Sequence, residues 1–308
     1  MASLKEIRGR INSVSNTRKI TGAMKMVSSA KLHKAQTQVV HYYPYWARMR
    51  SMLDSLLADS DSDTEEIELL SERDEIKRVA IVALSSNSSL CGSFNNNVQK
   101  RLNETLSNNY GSLPQRDISL YLIGKKIYEN ISKRSSEYKI KGPFFDLAHK
   151  PDRIAIDRIC DELVKLFLSK EVDKVEIIYN KFKSTSVQVI TQETLFPIVR
   201  IAGDYHHHNG DEGLSQIDKQ RWRADYIVEP GEEQFLKAIL PDILHLQMYG
   251  ALLNSYASEH GARTVAMQTA TDNADEIIED LVLEYNKLRQ NAITKEIIDI
   301  IGGSEGAR

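Results

Sequence analysis

The chain has few cysteines, no long apolar run and almost no net charge, and each absence excludes a class of protein. Two of its 308 residues are cysteines, Cys91 and Cys160, which excludes a disulfide framework and a thiolate zinc cluster. No apolar run approaches the roughly 18 residues that a membrane-spanning helix needs. The 40 basic and 43 acidic side chains leave a net charge of −3, which argues against a dedicated nucleic-acid-binding protein. The N-terminus lacks the features of a secretory signal or a transit peptide, so we expect a soluble, intracellular protein.

Charge is sorted along the chain although the total is small. Residues 1–50 contain ten basic side chains and one acidic one, Glu6, whereas residues 54–75 contain ten acidic side chains against Arg73. So dense a block of like charge is typical of a solvated segment, and we predict an acidic linker over 58–75. The basic segment is either a solvated helix face or a basic rod that fits into an acidic collar.

Long helices are predicted at both ends of the chain. Near the N-terminus, apolar residues recur every three or four positions, which is the spacing of one helix face. These residues are Leu4, Ile7, Ile11 and Val14, and the same stripe continues in Ile20, Met24, Val27 and Ala30. The sequence from 262 to 301 contains neither proline nor glycine, and apolar residues at helical spacing extend the prediction back to about Glu232. Gly250 and Gly261 would interrupt this helix, and Pro241 would kink it or mark its start.

Two such helices pair most economically as an antiparallel coiled coil. Between them, β-branched runs predict buried strands, and two helical segments separate the strands. The strands are predicted at 78–84, 118–124 and 174–179, and the helices near 96–106 and 153–168. Strand, helix and strand in succession indicate a parallel sheet, and 185–190 with 195–201 suggests an additional hairpin. We therefore predict an α/β fold with a central Rossmann-like domain at 76–228, flanked by coiled-coil helices at 1–57 and 229–308.

The motifs that carry chemistry are weak. The loop Ser85–Asn95 follows a strand and precedes a helix, where phosphate-binding loops lie, but Gly92 is its single glycine. Cys91 is predicted to be a buried thiol, since no histidine is placed to activate it. Gly124-Lys125-Lys126 resembles half of a phosphate loop, and His206–His208 is read as a solvated loop. We expect no catalytic, cofactor-binding or metal-binding residue in this chain.

Several stretches at the two ends of the chain form a recognisable pattern. They are Met1–Ile11, Thr17–Lys31, Ser258–Arg263, Ala266-Met267, Ala270–Ala274, Leu283–Gln290 and Ile293–Ile297, and Leu90-Cys91-Gly92 and Asn95–Val98 stand between them. The two ends resemble the γ subunit family of the F-type ATP synthase, and the middle stretches are similar to that family's strand-to-helix loop. The resemblance spans the whole chain, and it is dense at both ends and sparse between them.

The resemblance implies a non-catalytic rotor shaft in the central stalk of a proton-translocating complex. The lack of transit-peptide features at the N-terminus favours a bacterial source. Its partners would be three α and three β subunits, the ε subunit and the c-ring, with no nucleic acid. The subunit would lie at the cytoplasmic side of the inner membrane as a peripheral protein. The family positions that contact β subunits or couple the two helices correspond here to Met24, Arg263, Arg289, Gln290 and Thr294. On grounds of charge, the basic residues Arg18, Lys19 and Lys25 near the base of the shaft are expected to meet carboxylates of the β subunits. A shaft that slides in a sleeve is also expected to expose small or polar groups such as Ser28, Ser29, Ala30, Thr269, Thr271 and Asn273.

The chain departs from the family pattern in places. The family loop usually reads Ser-Asp-Arg-Gly-Leu-Cys-Gly, whereas Asn87 and Ser88 stand here in place of the Asp-Arg pair, and Lys25 stands where many members carry glutamate. The tail from Gly302 to Arg308 does not form a small apolar tip. One alternative is a nucleotide-binding α/β enzyme whose helical arms dimerise it, and another is a static scaffold whose coil recruits partners.

Overall fold

Two helices far longer than those of ordinary globular domains begin and end the fold. The computed structural model describes residues 3–59, 68–71, 73, 75–134, 137–198, 228–229 and 231–305. Helix α1 spans Leu4–Asp59 and helix α6 spans Glu232–Glu305. Contacts divide the chain into two compact units, one of Met1–Ser29 with Arg263–Arg308 and one of Ala30–Ala262. The predicted terminal helices are confirmed, and none of the described helices is long and apolar enough to cross a membrane.

The first unit is an antiparallel pair formed by the start of α1 and the end of α6. Arg18 contacts Asp275 and Thr21 contacts Thr271, so positions that advance along α1 meet positions that recede along α6. Along each helix, a series of buried positions recurs at intervals of seven, which is the repeat of a coiled coil. They are Ile7, Thr21 and Ser28 on α1, with Val14 partly buried, and Met267, Ala274 and Leu281 on α6.

The second half of the predicted α1 stripe is wrong. Ile20 and Val27 are 61% and 58% exposed, whereas Thr21 and Ser28 are buried beside α6. The apolar stripe followed the 3.6-residue period of a straight helix, but the seam of a coil follows the seven-residue repeat from Ile7. The same repeat contradicts the expectation that Ser28 is a surface group. Thr271 is partly buried because its hydroxyl faces Thr21.

The second unit contains a five-stranded sheet in the order β3-β2-β1-β4-β5. The strands are β1 Val79–Leu84, β2 Ile118–Ile123, β3 Lys139–Phe144, β4 Lys174–Phe182 and β5 Gln188–Phe196. The first four are parallel, and β5 pairs antiparallel with β4. The intervening helices are α2 Phe94–Glu104, α3 Lys125–Ile131, α4 Phe145–His149 and α5 Arg153–Leu168. The predicted parallel sheet is confirmed.

Apolar side chains cover both faces of the sheet, as a parallel sheet requires. One face packs on α2 and α3 through residues such as Val98, Leu102 and Ile127. The other face packs on α5, the end of α1 and the start of α6, with Leu163, Leu53 and Leu244 among the buried residues. The same α1 and α6 chains therefore form a coil in the first unit and a covering layer in the second.

The predicted hairpin is wrong, and one strand was missed. Residues 188–196 form the single edge strand β5, because its polar alternation suits a strand with one partner. Strand β3 was missed because Gly142 and Pro143 interrupt a short, exposed run of the kind found at a sheet edge. His206–His208, most of the acidic stretch 58–75 and the tail beyond residue 305 lie outside the described residues.

The two glycines that were predicted to interrupt α6 lie where the helix closely approaches other parts of the chain. A Cβ atom on Gly250 would lie 2.6 Å from the Tyr42 hydroxyl of α1. A Cβ atom on Gly261 would lie 3.3 Å from the Phe182 ring and from the Thr185 carbonyl oxygen. Since α6 runs without a break through both glycines and through Pro241, glycine serves packing here and does not end the helix.

Candidate functional site

Polar side chains of the loop Ser85–Asn95 form hydrogen bonds to other parts of the same chain. Asn95 Oδ1 accepts from the Ser86 amide at 3.0 Å. Asn87 Nδ2 donates to the Phe145 carbonyl at 2.8 Å, while Asn87 Oδ1 accepts from the Lys125 amide at 3.0 Å. The loop is therefore a structural connection that ties β1 to α3 and α4.

The carboxyl edge of the sheet, where nucleotides bind in doubly wound folds, is closed by α6. Ser258 Oγ of α6 donates to the Asn180 carbonyl at the end of β4, at 2.9 Å. Leu252, Ser255 and Glu259 of α6, with the ends of β1 and β2, line a cavity of about 10 Å³. That volume holds at most about one water molecule, so the space between α6 and the ends of β1 and β2 is too small for a nucleotide.

Gly124 closes the same edge from the side of β2. Its φ of +102° is a conformation that side-chain-bearing residues rarely adopt, and an added Cβ would lie 2.3 Å from the Ser85 carbonyl oxygen. The glycine of Gly124-Lys125-Lys126 is thus explained by the close approach of β1 and β2, without a phosphate. The alternative of a nucleotide-binding enzyme finds no site here.

Neither Cys91 nor Cys160 forms a disulfide, and both thiols are buried. Asn95 Nδ2 lies 3.2 Å from Cys91 Sγ. Burial, and secondarily the charges of Asp161 and Asp157, raise the pKa of the Cys160 thiol well above its ordinary value. Across the described residues no group of three potential metal ligands occurs.

The coil of the first unit exposes apolar side chains that neither of its helices covers. Single exposed apolar residues are ordinary on a protein surface, but a series along one coil indicates a surface that meets a partner. On α1 they are Ile20, Met26 and Val27, and on α6 they are Val265, Ile277, Val282, Leu283, Ile293, Ile297 and Ile298. Ile20 and Val27 were predicted on the same helix face as Ile7, and the seven-residue repeat from Ile7 is the signal that identifies them as surface.

The predicted contact residues all lie in the first unit, but their exposure differs. Lys19, Arg289, Gln290 and Thr294 are exposed, whereas Met24 and Lys25 are partly buried. Thr294 Oγ1 donates to the Gln290 carbonyl one turn earlier, at 2.9 Å. Arg289, Gln290 and Thr294 therefore form one exposed polar stretch of α6.

Arg263 differs from this group because it is 6% exposed. Its guanidinium belongs to the packed part of α6 and offers little surface to another chain. Its role at a partner stays a prediction, as do the contacts of the other predicted residues. Arg18, predicted to meet a β-subunit carboxylate, pairs within the chain with Asp275 at 2.7 Å.

Comparison with known proteins gives one consistent result. The ATP synthase family model matches residues 3–306. The ATP synthase gamma chain of Phocaeicola vulgatus is 45% identical over 99% of this chain and 99% of its own length, and that of Bacteroides thetaiotaomicron is 43% identical over the same shares. A chain in the OSCP/F1/c-ring structure of the Euglena gracilis mitochondrial ATP synthase aligns with a TM-score of 0.61 at 17% identity, over 98% of this chain and 94% of that one. That likeness shows the fold, and the sequence matches show that the chain belongs to the ATP synthase gamma chain family.

Proposed function

We propose that the chain is the central-stalk rotor subunit of a proton-translocating F-type ATP synthase, and that it transmits rotation between a membrane c-ring and the catalytic α and β subunits. The observation that carries the proposal is the antiparallel coil of the first unit, with apolar side chains that its own helices leave uncovered. Family membership supports the same role.

A shaft performs no chemistry, and it acts through differential contacts. An asymmetric coil that turns inside a ring presents a different surface to each catalytic subunit in turn. A partner can shift a conformational equilibrium only by binding one state better than another. Ile20 and Val27 lie on one side of α1 at an interval of seven, so the coil surface is not uniform around its axis.

The proposed ion pairs with the β subunits are weak enough to form and break as the shaft turns. Exposed ion pairs contribute about 0–1 kcal/mol each, so Lys19 and Lys25 can change carboxylate partners during rotation. Arg289 and Gln290 lie side by side and exposed on α6, where they can donate together to a carboxylate of a β subunit. We assign Met24 and Thr294 to the same class of contact, and Arg263 to the coupling of the two helices.

The rotor role also predicts where each part of the chain would lie in the complex. The α/β domain at 76–228 would contact the ε subunit and the c-ring, and the coil of the first unit would stand in the head. The subunit would be held at the cytoplasmic side of the inner membrane through the complex, without a membrane-spanning helix of its own.

The test is a double substitution in the assembled complex. Arg289→Ala with Gln290→Ala is expected to leave the subunit composition unchanged and to lower ATP turnover severalfold, because the donors for the β-subunit carboxylate are removed. Gln115→Ala with Arg116→Ala is the matched control, since it removes the same two side chains from an exposed site of the second unit. Equal turnover by the Arg289/Gln290 variant and the parent would refute the contact.

A further inference from the structure

Two polar contacts join the helices of the coil within about one helical turn. Arg18 Nη1 donates to Asp275 Oδ1 at 2.7 Å, and the Oγ1 atoms of Thr21 and Thr271 lie 2.8 Å apart. The Arg18 and Asp275 side chains are 45% and 47% exposed, whereas Thr21 is 8% exposed. The threonine pair therefore lies inside the seam with the ion pair at its edge, and we call these four side chains the clasp.

The clasp lies where the seam of the coil becomes polar. Toward the chain ends, the seam positions carry large apolar groups, which are Leu4, Ile7, Ile11 and Val14 on α1 and Ile278, Leu281, Tyr285 and Leu288 on α6. In the other half, the buried α1 positions are Thr21 and Ser28, opposite a stretch of α6 that includes Ala274 and Met267. Small and polar groups bury little apolar area, so hydrophobic packing holds the helices together less strongly in this half.

The two threonine hydroxyls lie in a row between the helix backbones, where two protons serve three short oxygen–oxygen contacts. Thr21 Oγ1 lies 3.0 Å from the Arg18 carbonyl oxygen, and Thr271 Oγ1 lies 2.8 Å from the Met267 carbonyl oxygen. A hydroxyl has a single proton, so one threonine donates to its own helix and the other donates across the seam. Either arrangement leaves the interhelical bond intact.

We infer that Arg18, Thr21, Thr271 and Asp275 are positioning residues that hold α1 on α6 in the polar half of the coil, so that the two helices turn as one body. The contact between α1 and α6 rests on the geometry alone. Its consequence for the coupling of proton pumping to ATP hydrolysis rests on the proposed function. The arrangement is sensitive to charge, because reversal at position 18 would place two carboxylates where an ion pair now forms.

The first measurement is amide hydrogen exchange of the full chain. Arg18→Glu is an exposed substitution that leaves the seam side chains in place, and it is expected to speed exchange in peptides from 15–28 and 264–276 about tenfold. Peptides from 4–14 should change less than twofold, because the apolar half holds them. Arg18→Asp with Asp275→Arg restores the opposite charges and should return the rates to within twofold of the parent.

Two comparisons make this measurement specific. Arg10→Glu makes the same charge change at another exposed position of α1 and should not speed exchange in 15–28. Thr21→Ala removes the seam hydroxyl and should speed exchange in the same peptides as Arg18→Glu. Unchanged exchange at 15–28 in both clasp variants, or an equal effect of Arg10→Glu, would overturn the inference.

The second measurement separates positioning from simple stability. In the assembled complex, Arg18→Glu is expected to lower the number of protons pumped per ATP hydrolysed at least twofold, and the charge-swapped variant should restore the ratio. Faster exchange with an unchanged ratio would overturn the positioning role. A parent chain that forms no complex with α and β subunits would instead overturn the proposed function, while the exchange result would still decide the helical contact.

Discussion

Gly250→Ala tests whether α1 and α6 meet as closely as the structure places them in the second unit. A Cβ at position 250 would lie 2.6 Å from the Tyr42 hydroxyl, 2.8 Å from Cε1 and 2.9 Å from Cζ, so the Tyr42 ring must move. That ring donates its hydroxyl to the Leu246 carbonyl and makes an edge contact with Tyr249, with the ring centroids 5.9 Å apart.

The expected magnitude is a sum of three effects. Overpacking a well-filled site costs about 1–3 kcal/mol, and loss of the Tyr42 hydrogen bond costs about 1 kcal/mol. Alanine gains about 0.8–1.0 kcal/mol over glycine in helix propensity, which offsets part of the cost. Gly250→Ala should therefore lower the free energy of unfolding of the second unit by about 1–3 kcal/mol.

Urea unfolding followed by Trp46 fluorescence is the assay, in a Trp222→Phe background that leaves Trp46 as the single reporter. Gly22→Ala is the control, since its added Cβ meets no atom within 4 Å outside its own part of the helix, and it should not lower the midpoint of this transition. Gly250→Ala added to Tyr42→Ala should cost less than Gly250→Ala alone, because the clashing ring is gone. An unfolding midpoint for Gly250→Ala at or above the parent would refute the close approach.

Two further predictions concern buried side chains of the second unit. Burial, and secondarily the negative charge of Glu193, raise the pKa of Tyr179 well above its ordinary value, so the folded state keeps a proton that the unfolded state loses above about pH 10. The contribution of Tyr179 to the free energy of unfolding is therefore complete below about pH 10 and is lost as the pH rises further. Between pH 9 and 11, the free energy of unfolding of the parent, measured by urea titration, should fall by about 1.4 kcal/mol more than that of Tyr179→Phe. Equal losses would contradict the shifted pKa. Cys91 and Cys160 are 1% and 0% exposed, so a thiol reagent should label them at least about a hundredfold more slowly in the native chain than in urea, and rapid native labelling of either would contradict its burial.

Sequence patterns predicted the elements that repeat over many residues. The helix at 153–168 agrees residue for residue with α5, because its apolar stripe and the Asp152 N-cap, which accepts from the Ile154 amide, mark the same start. Strands β1 and β2 were equally clear, since buried parallel strands are nearly continuous runs of β-branched and other apolar residues.

Other features depended on contacts that no local pattern records. Gly250 reads as a helix breaker until Tyr42 is placed against it, and Ile20 reads as core until the seven-residue repeat places Thr21 in the seam. Strand β3 is recognisable only beside β2, because its exposed edge position permits polar residues and Gly142-Pro143. The predicted contact residues and the exposed apolar side chains of the coil therefore lie on the same two helices but are different residues, and the contacts themselves stay a prediction.

A reversible disulfide between the coil and a catalytic subunit tests the central claim most directly. Arg289→Cys would be oxidised to a cysteine placed in a β subunit of the assembled complex, with Cys91 and Cys160 protected by burial. The account predicts that ATP turnover stops in proportion to the fraction cross-linked and returns when the disulfide is reduced. Full turnover by a completely cross-linked complex would show that α6 does not move relative to the β subunits, and the rotor assignment would be wrong.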